Sequence, residues 1–108
     1  EVEEVREPSK IGVEVPEDLI APDGKKISEM EIGDVGYISP AMVYVSDDNR
    51  CYLHDYHEIW QKDAVMSIRV KLTRSGFVIT VPRKALLRRK STKLDSHYIP
   101  VIQIIRSD

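Results

Sequence analysis

At 108 residues the chain has room for one domain built on one core. With 42% apolar and 31% charged residues it falls outside the disordered and fibrous classes, and no apolar run approaches the ~20 residues that cross a bilayer as a helix. The net charge of -2 sums three unlike stretches: residues 1–34 hold 11 acidic and 4 basic side chains (-7), residues 35–63 hold 5 and 2 (-3), and residues 64–108 hold 2 and 10 (+8).

From the N-terminus, residues 1–10 are polar and acidic with little to bury, which predicts a loose tail ahead of a single domain over 11–108. This stretch also lacks the apolar core of a secretory signal. The lone cysteine, Cys51, has no intramolecular partner, and the two observations together set the expectation of a reducing, cytoplasmic setting. Ile11, Val13 and Val15 alternate with Gly12 and Glu14 and predict a short strand ended by Pro16. Glu17 to Ile20 suits a turn of helix. Ala21-Pro22-Asp23-Gly24 is a turn on its chemistry, since proline presets φ and glycine accepts a positive one. In KISEMEIGDVGYI, Gly33 allows a tight bend and Asp34 caps the loop before a strand over Val35 to Ser39, which Pro40 interrupts. Met42 to Val45 and Cys51 to Leu53 predict a hairpin about the turn Ser46-Asp47-Asp48-Asn49-Arg50. Residues 55–63 read as a loop in which Tyr56, Ile59 and Trp60 pack inward or line a groove.

The clearest pattern runs from Val65 to Val81. Met66, Ile68, Val70 and Leu72 alternate with Ser67, Arg69, Lys71 and Thr73, and after Arg74-Ser75-Gly76 the alternation resumes at Phe77, Ile79 and Val81. A hairpin with one oily and one charged face follows, and the oily face requires a cover. Pro82 ends the second strand because it lacks a ladder donor. The segment to Leu87 suits a helical or 3₁₀ turn, with Leu86 or Leu87 plugging one end of the core. A polar loop, RRKSTKLDSH, leads to a last strand over Tyr98 to Ile105, whose continuous apolar character implies burial on both sides or an open, adhesive edge.

Five or six short strands with one helical turn before the last define an all-β protein. The order resembles that of SH3-like small barrels over roughly residues 27–106, with an OB-like barrel or a split sandwich as alternatives.

Three constellations bear on chemistry. Cys51, His54 and His57 carry zinc-ligand types at a C-x₂-H-x₂-H spacing. That spacing is tighter than a zinc finger's and has no distant second pair beyond His97, so a buried thiol beside surface histidines is preferred and no metal or other cofactor is expected. No glycine-rich phosphate loop is present, and neither Asp47-Asp48 nor Asp55 with Glu58 stands outside its turn chemistry, so a catalytic role is not expected. The third constellation is basic. Arg83, Lys84, Arg88, Arg89, Lys90 and Lys93 lie close together, and Arg69, Lys71 and Arg74 decorate the charged face of the preceding hairpin. Folded onto one side, these cations would attract phosphate backbones, and Tyr37, Tyr44, Tyr52, Tyr56, Trp60 and Tyr98 would offer stacking surfaces.

The expected function is a non-catalytic binding module that takes nucleic acid through Arg69, Lys71, Arg83, Lys84, Arg88, Arg89 and Lys90. The rival is a protein-interaction module, regulatory or part of an assembly, using an aromatic groove or the open edge of the last strand. Neither reading involves a membrane, and the sequence leaves the oligomeric state open.

Overall fold

The structure, a computed structural model, describes residues 19–91 and 96–107. The expected tail over 1–10, the strand over 11–15 and Lys93 lie outside the described residues. The protein is mostly β. Its strands are β1 (Leu19–Ile20), β2 (Asp34–Ile38), β3 (Val43–Val45), β4 (Cys51–His54), β5 (Ile68–Thr73), β6 (Gly76–Pro82) and β7 (Tyr98–Ser107), with 3₁₀ turns at Ile27–Glu29 and Pro40–Met42.

These strands form one open sheet in the order β1-β2-β5-β6-β7-β4-β3. Among the described residues, seven strands with β1 and β3 outermost replace the expected five or six closed into a barrel. Two features defeat the hairpin-by-hairpin order that the barrel expectation assumed. β6 and β7 pair in parallel, which requires a crossover through the residues between them, and β7 then lies between β6 and β4. The last strand is interior in the strand order, but its two neighbours share it end to end: Tyr98 to Pro100 pairs with β4 and Val101 to Ser107 with β6, so over Val101 to Ile105 the ladder lies on the β6 side. Nor do the described residues between Pro82 and β7 hold a helical turn. They make a tight turn closed by Ala85 N–H donating to Pro82 O at 2.9 Å, then run without regular structure apart from a single bridge at Arg89. Ala85 is the buried plug, Leu87 packs half-buried against the core, and Leu86 points to solvent.

Local chemistry explains the elements that matched expectation. Pro22 to Lys25 is a turn with Gly24 at φ 82°. Gly33 takes φ 95°, and the Asp34 carboxylate accepts from Glu31 N–H at 3.0 Å and from the Lys25 ammonium at 2.7 Å. That ion pair raises the Lys25 pKa, the Asp34 hydrogen bond being its main cause. Asn49, a residue type that tolerates the left-handed region, takes φ 66° in the turn between β3 and β4. Ser39 Oγ accepts from Ala41 N–H at 3.2 Å and starts the 3₁₀ turn with Pro40 in its first position. Met66, expected in the strand, instead takes φ 66° in a turn, and β5 begins two residues later at Ile68. Leu19 and Ile20, expected to be helical, pair in parallel with Asp34 and Val35.

The ladder registers decide which side chains share a face. Val70 lies opposite Gly36 on β2 and Ile79 on β6, and Ile38 lies opposite Ile68. On the other half of the sheet Leu53 lies between Val43 and Ile99. All these apolar residues belong to one cluster, so the sheet curls to bring its two halves around a common interior. The connection from Ile38 to Val43 enforces the curl, because about five residues span at most ~17 Å while joining β2 to the far edge of the sheet. The gap left by the missing ladder is bridged by the loop after β4. Trp60 N–H donates to Tyr37 O at 2.7 Å, Tyr37 N–H donates to Trp60 O at 3.0 Å, and Ile59 is buried in the core. Alternation assigns Lys71 to the opposite face with Val35 and Val78, and that part of the face is buried too.

Candidate functional site

The seven cations singled out from the sequence fall into two groups. Arg69 and Lys71 sit on β5, facing away from the main core, with Arg69 level with Tyr37 and Thr80. Lys71 is 6% exposed, so the expected solvent face of the hairpin is buried at its centre. The second group follows β6. Arg83 and Lys84 are exposed in the turn after Pro82, and Arg83 with Arg106, Ala85, Leu86 and Leu87 lines a cleft of about 600 Å³. Arg88, Arg89 and Lys90 line a second cleft of about 400 Å³, whose apolar wall is Pro40, Ala41, Val43 and Leu86. Leu86 borders both clefts, so Arg83, Arg88, Arg89 and Lys90 form one strip that Arg106 of β7 joins from the neighbouring strand.

The strip is held to the β3 edge by backbone. Lys90 N–H donates to Val45 O at 2.9 Å, and Arg89 bridges Val45 in parallel. The Arg89 guanidinium donates to Ser46 O at 3.1 Å and also binds the Asn49 side chain. β5, which carries Arg69 and Lys71, pairs with β6, the strand that leads into Arg83, and Arg69 lies level with Thr80, three residues before Arg83.

Beside the strip lies a group of aromatic rings. The Lys90 ammonium sits 4.7 Å from the centre of the Tyr44 ring, within the range of a cation–π attraction. Tyr44 stacks on His57 at 5.9 Å and meets Tyr98 edge-on at 5.4 Å. His54 contacts Tyr56 at 4.0 Å, Tyr98 at 5.0 Å, His57 at 5.8 Å and His97 at 5.9 Å. The strands explain the grouping. Cys51 and Leu53 face the core, so Tyr52 and His54 face away from it. Register sets Tyr44 opposite Tyr52, and His54 opposite Tyr98.

The protonation states follow from the surroundings. Burial holds the His57 imidazole below its ordinary range, with the charges of His54 and Lys90 adding to the effect. Burial, with Tyr56 and Tyr98 nearby, raises the Tyr44 phenol. A protonated phenol and a neutral imidazole agree with the 3.0 Å contact between Tyr44 Oη and His57 Nε2, the hydroxyl donating. Asp55 is held below the usual carboxylate range, first by its hydrogen bond from His97 Nδ1 at 3.0 Å and then by the charges of His97 and His54.

Cys51 stands apart from the imidazoles. Its side chain is 5% exposed and faces the core, on the opposite side of β4 from His54, so the C-x₂-H-x₂-H spacing does not converge. Among the described residues no group of three or more histidine, cysteine or acidic side chains is arranged to hold a metal ion. Sequence reasoning listed Tyr44, Tyr56 and Tyr98 as stacking surfaces but missed the three histidines and Arg106 as their neighbours. The i, i+2 spacing of Tyr52 and His54 was the available signal. His97 joins only through the pairing of β4 with β7, which no local pattern announces. Compared with protein-family models, curated proteins and solved structures, the chain matches none.

Proposed function

We propose that this protein is a non-catalytic nucleic-acid-binding module whose working surface is the strip Arg83, Arg88, Arg89 and Lys90, with Lys84 exposed in the turn beside Arg83, and the adjoining rings. The observation that carries the reading is Lys90 over Tyr44. It places cations suited to phosphate and rings suited to bases in one continuous patch on an otherwise acidic chain. Arg69, on β5 beside β6, would add a further cation at the Arg83 end, whereas Lys71 is buried.

The test is an electrophoretic shift with DNA and RNA fragments at several salt concentrations. The unmodified protein should bind, and affinity should fall as salt rises, with a slope set by the number of phosphates neutralised. Replacing Arg88, Arg89 and Lys90 together by glutamate should abolish the shift while far-UV circular dichroism is unchanged. Arg69→Glu should weaken binding far less. No salt-sensitive shift with either polymer would overturn the reading.

A protein partner is the second reading, and Leu86 supports it. This leucine is 84% exposed between the two basic clefts. An apolar tip ringed by cations suits an acidic, amphipathic segment. Under that reading Leu86→Ser would abolish capture of the partner while leaving nucleic-acid retention untouched.

A further inference from the structure

We infer that the nucleic acid taken by this surface is single-stranded, with unpaired bases stacking on Tyr56 and His97 and the backbone following Arg88, Arg89 and Lys90. The inference rests on the nucleic-acid reading above and names its substrate class.

Tyr56 is 55% exposed, and the His97 side chain is 62% exposed. Both rings are nonetheless held. Tyr56 abuts His54 at 71° and lies 4.5 Å from His57, while His97 lies parallel to His54, 9° from coplanar. His97 is further fixed by the Asp55 carboxylate, and its carbonyl accepts from Asp55 N–H at 2.9 Å. Between the two exposed rings His54 is largely covered, with 18% of its side chain accessible. The arrangement is two supported π-faces at the surface, each pre-positioned, and base–aromatic stacking is available only to bases whose own faces are open.

A duplex offers no such faces, since its bases are stacked on one another. Groove readout by a helix needs one that enters a major groove ≈ 12 Å wide, whereas the described helices are single turns of three residues. Charge sets the orientation. Asp55, kept ionised by its imidazole neighbours, repels phosphate at the Tyr56 and His97 end, so the backbone is drawn toward Lys90 and the arginines beyond it.

Fluorescence anisotropy with labelled oligo(dT) and oligo(U) of about 12 nucleotides, within the ~4–16 nucleotide range of single-strand sites, and with a duplex of matching length, tests this. Single strands should bind at least about tenfold more tightly than duplex at the same salt. Tyr56→Ala and the bulkier Tyr56→Leu should each weaken single-strand binding about tenfold, in line with ~1–3 kcal/mol per stacked base. Both should leave the slope against log salt unchanged, and Tyr56→Trp should retain affinity. Lys90→Gln should instead reduce that slope by about 1. Equal affinity for duplex, or unaltered binding by a folded Tyr56→Leu variant, would overturn the inference and leave the nucleic-acid reading standing. Absence of binding to all three polymers would overturn both.

Discussion

Cys51 illustrates how one position is governed by its face of the strand. The thiol sits inside the core beside Leu53 and Val45, and burial pushes its pKa up to about 11. At pH 8 the thiolate is then about 100-fold scarcer than at an ordinary cysteine, because each pKa unit is a factor of ten. A maleimide or disulfide reagent should label the native protein slowly and the urea-unfolded protein at once. The pH dependence follows from the same shift. Since the folded pKa lies above the thiol's ordinary 9, its contribution to stability is whole below pH 9 and is lost as pH climbs through about 11. Cys51→Ala should lessen the alkaline decline in a series of urea unfolding midpoints, the raised Lys25 and Tyr44 supplying the remainder, and an unchanged decline would place the thiol in water. His54, three residues along the same strand, obeys the opposite constraint: it faces away from the core, opposite Tyr98 on β7.

At the scale of elements, the loop from Asp55 to Trp60 does the work that a further strand would do in a closed barrel. Its Ile59 side chain presses against Gly36 of β2, where an added Cβ would stand 2.7 Å from the Cβ of Ile59 and 2.8 Å from its Cγ1. Neither atom is the free end of a flexible chain. Gly36→Ala should therefore destabilise by about 1–3 kcal/mol through overpacking, read as a lower urea midpoint with unchanged slope. A neutral result would mean that the loop lifts away from β2 at little cost. The same loop carries Tyr56 and His57, so the element that closes the core also presents the aromatic surface. Ile79→Ala, at the centre of β6, should cost about 2–5 kcal/mol, since Ile79 is fully buried and faces Val70 across the ladder.

For the molecule as a whole, one apolar cluster joins β2 through β7, and no described element has a core of its own. Unfolding should therefore be cooperative. Trp60, the single tryptophan, sits at the junction between the loop and β2 and reports on the seam that the ladder leaves open. Its fluorescence and the far-UV circular dichroism should give coincident thermal transitions. A tryptophan transition at lower temperature would show the seam opening ahead of the sheet. The charge asymmetry also belongs to this scale. The cations of residues 83–90 follow one another along one segment, whereas Arg69 reaches their Arg83 end only through the pairing of β5 with β6.

The sequence by itself determined the local features: the hairpin about Arg74-Ser75, the turn from Ser46 to Arg50, the bend at Gly33-Asp34, and the inward alternation of Ile68, Val70, Phe77 and Ile79. Each depends on residues within a few positions of one another, where backbone preference and a period of two suffice. Only the tertiary structure decided that β6 and β7 run parallel, that the sheet has seven strands and stays open, that Lys71 is buried, and that His97 meets His54. Those outcomes depend on which strands become neighbours, and a strand's hydrophobic pattern names the face it buries without naming the strand beside it.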